Sequence, residues 1–335
     1  MAPGHTSGMK RFLALGAAAF AGRKIVKRAT ALDLHGAVAI VTGGSRGLGF
    51  ALAQELRSQG ARVAICARGE EQLQAARGKL GDDVMAVVCD VGDRAQVEAF
   101  VATVEEALGP VDVLINNAGV IAVGPLRTQT LADFREMVDI QLWGTVHTTL
   151  AVLPSMVERG GGRIANVTSI GGKISVPWLL PYSTAKFAAV GFSEGLRAEL
   201  AGTGVKVTTV VPGLMRTGSF LAAYFKGDRA GLEYSLFTPL SSTPATTVSA
   251  ERAASRIVTA LRRGDPEITL GLHAKLAARA NGVAPGAVQA ALSLVARALP
   301  EVHGTGRRRG SEIDSPVDES PLTAPGRRAA ARLNQ

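Results

Sequence analysis

The feature that most constrains this fold is a regular alternation of short apolar runs and amphipathic stretches between residues 37 and 270. Continuous apolar runs are typical of strands in a parallel sheet that is buried on both faces. Stretches with apolar residues three or four positions apart are typical of the helices that connect such strands. We therefore predict an α/β fold with a doubly wound, parallel, seven-stranded sheet. The predicted strands are residues 38–41, 62–66, 84–89, 111–115, 163–168, 205–211 and 267–270, and the predicted helices include 50–59, 94–108, 131–157, 182–201 and 250–263.

Composition divides the chain into four segments. Residues 31–272 carry the alternation without a long linker and are predicted to form a single domain. Residues 1–30 form a basic and apolar N-terminal extension, and residues 273–302 are rich in Ala, Leu and Val at helical spacing, which predicts a helical C-terminal extension. Residues 303–335 contain glycine and arginine without an apolar period, which predicts a disordered tail.

The net charge of +9 lies mainly outside the predicted domain. Residues 1–30 contribute +6 and residues 303–335 contribute +2, so the remaining residues are close to neutral. Nucleic-acid-binding proteins usually concentrate positive charge on one face of the folded body, so we expect no nucleic-acid partner.

The 5 histidines are scattered and the 2 cysteines cannot build a disulfide framework. We therefore expect no metal site and no disulfide-stabilised fold.

The N-terminal extension contains an apolar run at residues 12–22 with basic residues on both sides. The run is too short to span a bilayer, which needs about 20 residues. Three interpretations stay open: a helix on an anionic membrane surface, a signal or anchor, and a passive extension. We expect a cytoplasmic protein that could contact a membrane peripherally through residues 10–28.

A glycine-rich turn, Thr42-Gly43-Gly44-Ser45-Arg46-Gly47-Leu48-Gly49, follows the first predicted strand and leads directly into a helix. Glycines allow the backbone to bend tightly and to approach a pyrophosphate, whose charge the helix N-terminus stabilises. Such a turn between a strand and a helix at the start of an alternating α/β domain predicts a dinucleotide-binding site.

The end of the second strand indicates which dinucleotide is bound. NAD(H)-binding sheets usually carry an acidic residue there, which bonds the ribose 2′-hydroxyl. This strand ends with Ala67 and Arg68 and has no acid. Arg68 can pair with a 2′-phosphate, and Arg46 in the glycine-rich turn can supply a second positive group. We predict that NADP(H) is favoured over NAD(H).

Together, the glycine-rich turn, Asn116-Asn-Ala-Gly119, Ser169, Tyr182-Ser-Thr-Ala-Lys186 and Pro212-Gly213 resemble the short-chain dehydrogenase/reductase family. The resemblance covers about residues 35–270 and implies a Rossmann-fold oxidoreductase that transfers a hydride, commonly as a homo-oligomer. It also implies a set of cofactor-binding residues. These are Gly43, Ser45, Arg46, Gly47, Leu48 and Gly49 in the turn, Arg68 at the 2′-phosphate, Asp90 and Val91 beside the adenine, Asn117 and Gly119 beside a ribose, Tyr182 and Lys186 near the nicotinamide ribose, and Pro212, Gly213 and Thr217 at the carboxamide.

Tyr182 and Lys186 are four residues apart on a predicted helix, so their side chains lie on one face. A nearby ammonium and a cationic nicotinamide lower the pKa of a phenol, which would allow Tyr182 to exchange a proton with a carbonyl or an alcohol oxygen. By resemblance, Ser169 hydrogen-bonds the same substrate oxygen. These residues predict a catalytic centre.

One position departs from the family pattern. The family usually has Asn in its long central helix, where this chain has Gln141. That Asn is reported to hold a water that links the active-site Lys to solvent, and Gln keeps the amide with one more methylene. We therefore include Gln141 with Ser169, Tyr182 and Lys186 as predicted catalytic residues.

The segments 170–180 and 214–248 carry many apolar residues and few charges. They predict an apolar pocket for a small lipophilic ketone, aldehyde or alcohol. The residues expected to form it are Val176, Trp178, Leu179, Leu180, Leu214, Met215, Phe220, Leu221, Tyr224 and Phe225. The alternative interpretation is a non-catalytic NADP(H)-binding sensor or regulatory protein, which Gln141 alone favours.

Overall fold

The computed structural model describes residues 31–335. A sheet of strands lies at the centre of the fold. In chain order the strands are β1 (Val38–Thr42), β2 (Arg62–Ala67), β3 (Met85–Val88), β4 (Val113–Asn116), β5 (Ala122–Val123), β6 (Gly162–Val167), β7 (Val205–Pro212), β8 (Met215–Arg216), β9 (Tyr224–Lys226), β10 (Val248–Ser249), β11 (Glu267–Leu270) and β12 (Arg307–Arg309). Seven of them form one parallel sheet in the order β11-β7-β6-β4-β1-β2-β3. The predicted doubly wound, seven-stranded sheet is confirmed.

Helices connect these strands and cover both faces of the sheet. They are α1 (Gly47–Ser58), α2 (Glu70–Leu80), α3 (Arg94–Leu108), α4 (Leu131–Val138), α5 (Gly144–Glu158), α6 (Leu180–Glu199), α7 (Ser219–Ala222), α8 (Ala230–Ser242), α9 (Ala250–Arg263), α10 (Leu272–Val283), α11 (Pro285–Ala298) and α12 (Ala324–Arg332). The predicted helical C-terminal extension is present as α10 and α11. None of the helices of residues 31–335 is long and apolar enough to cross a membrane.

Successive side chains of β1 point to opposite faces of the sheet, so the core has two halves. Ala39 and Val41 point into one apolar cluster, and Val38 and Ile40 point into the other. Helices α1 and α9 cover the first face, and α3 and α5 cover the second. Because successive side chains of a strand point to opposite faces, a sheet covered on both sides requires the continuous apolar runs seen in the sequence.

The long helix predicted at residues 131–157 is interrupted. Helices α4 and α5 are separated by a π-helical turn at Asp139–Trp143. A π-turn inserts a residue without breaking the apolar spacing, so the pattern of the sequence cannot distinguish it from a continuous helix. Such turns occur frequently at functional sites, and this one contains Gln141.

The prediction that residues 303–335 are disordered is wrong. Strand β12 pairs antiparallel with β9, and α12 packs against α8. Ile313 is buried against a small apolar cluster, and Leu333 is 1% exposed within the main core. These apolar residues occur singly at irregular spacing, and each fills a different site on the domain. The segment therefore has no period that could reveal its packing.

Residues 1–30 lie outside the described part of the chain. The predicted membrane contact through residues 10–28 therefore stays a prediction.

The packing of the C-terminal segment can be tested through Leu333. We expect Leu333→Ala to lower the free energy of unfolding by about 2–4 kcal/mol, because the substitution removes buried methyl groups and leaves a cavity. Leu322→Ala is the matched control, since Leu322 lies in the same segment but is 58% exposed. Urea denaturation of the two variants measures the difference. Equal midpoints for both variants would mean that Leu333 does not pack into the core.

Candidate active site

A cavity of about 780 Å³ opens along the carboxyl ends of the central strands. Ligands of doubly wound sheets bind at this edge, because the loops that follow neighbouring parallel strands converge there. Every residue predicted from the sequence to bind cofactor or to act in catalysis lines this cavity. The set comprises Gly43, Ser45, Arg46, Gly47, Leu48, Gly49, Arg68, Asp90, Val91, Asn117, Gly119, Gln141, Ser169, Tyr182, Lys186, Pro212, Gly213 and Thr217.

The glycine-rich turn lies at the N-terminus of α1. Gly43 and Gly47 have φ values of +63° and +57°, a region that favours glycine. A Cβ at Gly49 would lie 2.1 Å from the Gly43 carbonyl oxygen, so the turn can close only without a side chain there. Asn117 supports the turn from β4, since its Nδ2 donates to the Thr42 carbonyl oxygen at 3.0 Å. The result is a compact turn whose backbone faces the cavity.

Arginine side chains line the end of the cavity beside β2 and β3. Arg68 is half-exposed, and its Nη1 lies 3.8 Å from Asp90 Oδ2, a long ion pair. Burial lowers the pKa of Arg46, and the positive charges of Arg309 and Arg68 lower it further, while Tyr224 opposes them. This end of the cavity therefore combines a helix N-terminus with guanidinium groups, which together favour an anion.

Ser169, Tyr182 and Lys186 meet at the end of β6. Ser169 follows β6, and its Oγ accepts a hydrogen bond from the Gly171 N–H at 3.0 Å. Tyr182 and Lys186 lie one turn apart on α6, and Lys186 Nζ is 5.8 Å from the centre of the Tyr182 ring. Lys186 Nζ donates to the Val167 carbonyl oxygen at 3.0 Å, which fixes the lysine beneath the phenol.

Burial dominates the electrostatics of this centre. It raises the pKa of the Tyr182 phenol, and a hydrogen bond with Ser169 opposes the shift with a smaller effect. It lowers the pKa of Lys186 to about 8. The net shift at Tyr182 is therefore opposite to the lowering expected from the nearby ammonium, because desolvation penalises the phenolate more than its neighbours stabilise it. At neutral pH the phenol is protonated and can donate a proton.

Gln141 is buried in the π-helical turn next to this centre. Its Nε2 donates to the Val120 carbonyl oxygen at 3.2 Å, while its Oε1 has no hydrogen-bond partner among the described residues. A Cβ at Gly119 would lie 3.6 Å from Gln141 Oε1 and 3.7 Å from Lys186 Nζ. The two polar groups therefore border the same small space above Gly119, as a water-mediated link to the lysine would require.

Pro212 ends β7, and the loop that follows it carries Gly213 and Thr217 along the cavity. Thr217 is buried, and its Oγ1 accepts a hydrogen bond from the Ser219 N–H at 3.2 Å. A Cβ at Gly213 would lie 2.4 Å from His273 Nε2, so α10 packs directly behind this loop.

The apolar end of the cavity differs in part from the sequence-based expectation. Val176, Trp178, Leu179, Leu214 and Met215 line it as predicted. The other expected residues do not, and Phe220 and Phe225 are buried with Tyr234 in a separate aromatic cluster.

Residues of α8 and α11, together with Leu299 directly after α11, complete this wall, and the sequence analysis did not name them individually. They are Leu236, Phe237, Leu240, Leu292, Val295 and Leu299. Helix α8 lies within the segment 214–248, which is predicted to form the pocket. The helical spacing of residues 273–302 predicts α11 but does not indicate which of its residues approach the cavity.

The residues present fit a nicotinamide dinucleotide. The glycine-rich turn and the guanidinium groups suit its phosphates, and the buried Tyr182–Lys186 pair lies further along the same cavity, where hydride chemistry would occur. Among the described residues, no cluster of three or more His, Cys, Asp or Glu side chains could hold a metal ion.

Comparisons with known proteins agree with this geometry. The family model described as short chain dehydrogenase matches residues 37–224. The chain is 44% identical to the "Putative ketoacyl reductase" of Streptomyces coelicolor over 187 residues, which are 54% of this chain and 71% of that protein. A short-chain dehydrogenase from Streptomyces avermitilis superposes with a TM-score of 0.68 at 32% identity, covering 78% of this chain and 98% of that one. A gluconate 5-dehydrogenase from Burkholderia cenocepacia, crystallised with NADP and tartrate, superposes with a TM-score of 0.62 at 26% identity, covering 72% and 96%. The chain belongs to the short-chain dehydrogenase/reductase family, whose members are oxidoreductases that use NAD(P).

Proposed function

We propose that this enzyme is an NADP(H)-dependent oxidoreductase that interconverts a small lipophilic ketone or aldehyde and the corresponding alcohol. The observation that carries the proposal is the continuity of one cavity, which has Arg46 and Arg68 at one end, Tyr182 in the middle and an apolar wall at the other. An apolar wall with few polar groups favours a lipophilic substrate over a sugar phosphate.

Tyr182 is the proposed general acid in reduction and general base in oxidation. Its protonated phenol donates to the substrate oxygen while the bound cofactor supplies the hydride. Ser169 donates a second hydrogen bond to the same oxygen and stabilises the charge that develops there. Lys186 holds a positive charge below pH of about 8 and stabilises the phenolate after proton transfer.

The NADP(H) preference rests on Arg68 and Arg46. Arg68 is half-exposed at the cavity edge, and its 3.8 Å distance from Asp90 leaves it able to pair with a phosphate. The complex of the related gluconate 5-dehydrogenase with NADP supports a site of this kind.

A homo-oligomer is also proposed, on the basis of exposed apolar side chains along α5 and its preceding turn. Trp143, Leu150 and Val157 are 49%, 57% and 39% exposed. They are seven residues apart and so lie along one helix face, a pattern that favours packing against a second copy.

The cofactor preference is tested by Arg68→Asp. We expect this change to weaken NADPH binding by about 1.5–3 kcal/mol, the value of a charge-assisted hydrogen bond, and to affect NADH far less. Titration of each reduced cofactor by its fluorescence measures the two affinities. Equal losses for NADPH and NADH would contradict the role of Arg68.

The proton-transfer role is tested by Tyr182→Phe in a substrate screen with aliphatic and aromatic ketones. Phe keeps the ring and its packing while it removes the hydroxyl, so we expect turnover to fall at least about 100-fold. NADPH affinity should change little. A variant that retains a tenth of the parental rate would show that another group is the acid. A parent enzyme that binds NADPH but reduces no ketone or aldehyde would contradict the proposed reaction.

The role of Gln141 is tested by comparing Gln141→Ala with Gln141→Asn. Ala removes the amide that borders the space next to Lys186, so proton resupply to Tyr182 should slow and steady-state turnover should fall about tenfold, the worth of one hydrogen-bonded group. Asn keeps an amide, and an adjustable water can span the extra distance, so its turnover should stay close to that of the parent.

Single-turnover hydride transfer separates this role of Gln141 from a general loss of structure. The step does not use the proton path to solvent and should be preserved in Gln141→Ala. Parental steady-state turnover by that variant from pH 6 to 9 would show that the path does not pass through this position.

A further inference from the structure

The C-terminal segment, residues 307–335, lies directly on the cofactor side of the domain. The Leu333 carbonyl oxygen accepts a hydrogen bond from the Gly47 N–H at 2.8 Å, and Asn334 Nδ2 donates to the Ser45 carbonyl oxygen at 2.8 Å. At its other end, β12 continues the small sheet through β9. The segment is therefore attached to both the glycine-rich turn and β9, although it lies outside residues 37–224, which match the family model.

Three consecutive arginines in β12 have different surroundings. Arg307 forms an ion pair with Glu136 at 2.6 Å, and Arg308 donates to the Glu312 carbonyl oxygen at 2.6 Å. Arg309 lines the cavity, and its Nε donates to Tyr224 Oη at 3.1 Å. Within residues 31–335 the structure records no ion pair for the Arg309 guanidinium. Arg309 is thus a cation at the cavity wall without a carboxylate partner.

Arg309 and Arg46 line the same cavity. Arg46 is the N-cap residue of α1, and the charge of Arg309 lowers its pKa more than the charge of Arg68 does. Like charges around one cavity repel each other, and a bound anion offsets this electrostatic repulsion. Arg309 approaches Arg46 from the β9 side and Arg68 approaches it from the β2 side, so Arg46 lies between the two guanidinium groups.

We propose that Arg309 binds the pyrophosphate of the dinucleotide cofactor, next to the helix N-terminus whose Gly47 N–H group bonds the Leu333 carbonyl oxygen. A pyrophosphate is bound at the N-terminus of the helix after a glycine-rich turn, which is where Arg46 lies. Tyr224 holds the Arg309 side chain in place through its hydroxyl. The proposal rests on the proposed function only in that a dinucleotide binds, since NADP(H) and NAD(H) share the pyrophosphate.

The test compares Arg309→Gln with the matched control Arg308→Gln. Both changes remove one positive charge from the same strand, but Arg308 does not line the cavity. Fluorescence titration should show that Arg309→Gln weakens NADPH and NADH alike by about tenfold, as expected for one charge-assisted hydrogen bond. Arg308→Gln should stay within about twofold of the parent. The loss in Arg309→Gln should shrink at high salt, because ions screen the exposed guanidinium.

Two further variants separate phosphate binding from a structural role. Arg309→Lys keeps the charge and should recover part of the affinity. Tyr224→Phe removes the hydrogen bond to Arg309 but keeps the guanidinium, so it should lose less affinity than Arg309→Gln. Thermal unfolding of each variant shows whether the small sheet remains intact.

Several outcomes would overturn the proposal. Unchanged affinity in Arg309→Gln would show that the residue only holds Tyr224, and a loss confined to NADPH would place Arg309 at the 2′-phosphate. A loss in Tyr224→Phe as large as that in Arg309→Gln would make the effect structural. In contrast, a parent enzyme that binds NADPH and NADH equally would contradict the proposed NADP(H) preference and leave this assignment intact.

Discussion

Hydrogen bonds between Thr42 and Asn117 hold the glycine-rich turn against the neighbouring strand, and the geometry of the whole cavity depends on them. The Thr42 hydroxyl accepts the N–H groups of Asn117 and Ala118 at 3.0 and 3.1 Å, and the Asn117 amide returns a hydrogen bond to the Thr42 carbonyl oxygen. Thr42 is 2% exposed, so a lost partner would leave a buried polar group unsatisfied. These contacts join the ends of β1 and β4, which bear the turn and the residues leading to Gly119.

A network of buried polar side chains holds α6, the helix that carries Tyr182 and Lys186, against the sheet. Asn116 on β4 donates to Asn166 on β6 at 2.9 Å, and Asn166 donates to Ser193 on α6 at 3.1 Å. Ser193 shares a further hydrogen bond of 2.8 Å with Thr209 on β7. Apolar packing alone would allow α6 to slide or rotate slightly, whereas directional bonds between buried groups specify one arrangement. The position of Tyr182 and Lys186 relative to the sheet follows from this network.

Desolvation gives the active centre its chemical character. Burial acts on Tyr182 and Lys186 in the same sense, because it disfavours the charged form of each and raises one pKa while it lowers the other. In the proposed reaction, the protonated phenol donates its proton to the substrate oxygen and the Lys186 ammonium stabilises the phenolate that remains. The unpartnered Gln141 Oε1 lies beside the same small space, so the polar groups near Lys186 are few and specifically placed.

The sequence alone determined the parallel sheet, because its strands are continuous apolar runs. The motifs and the family resemblance selected eighteen predicted site residues, all of which line the cavity. Apolar strands identify a buried sheet, and the carboxyl ends of parallel strands necessarily meet at one edge. Only the tertiary structure decided the rest. Buried positions continue at helical spacing through the π-helical turn at Gln141, and the segment around Leu333 has no apolar period. The helical spacing of residues 273–302 does not indicate that Leu292 reaches the cavity. Arg309 belongs to the same group, since three identical arginines in a row carry no sign of which one faces the cofactor site. Once β12 pairs with the distant β9, alternation separates Arg308 from Arg307 and Arg309, and the ion pair with Glu136 distinguishes Arg307 from Arg309.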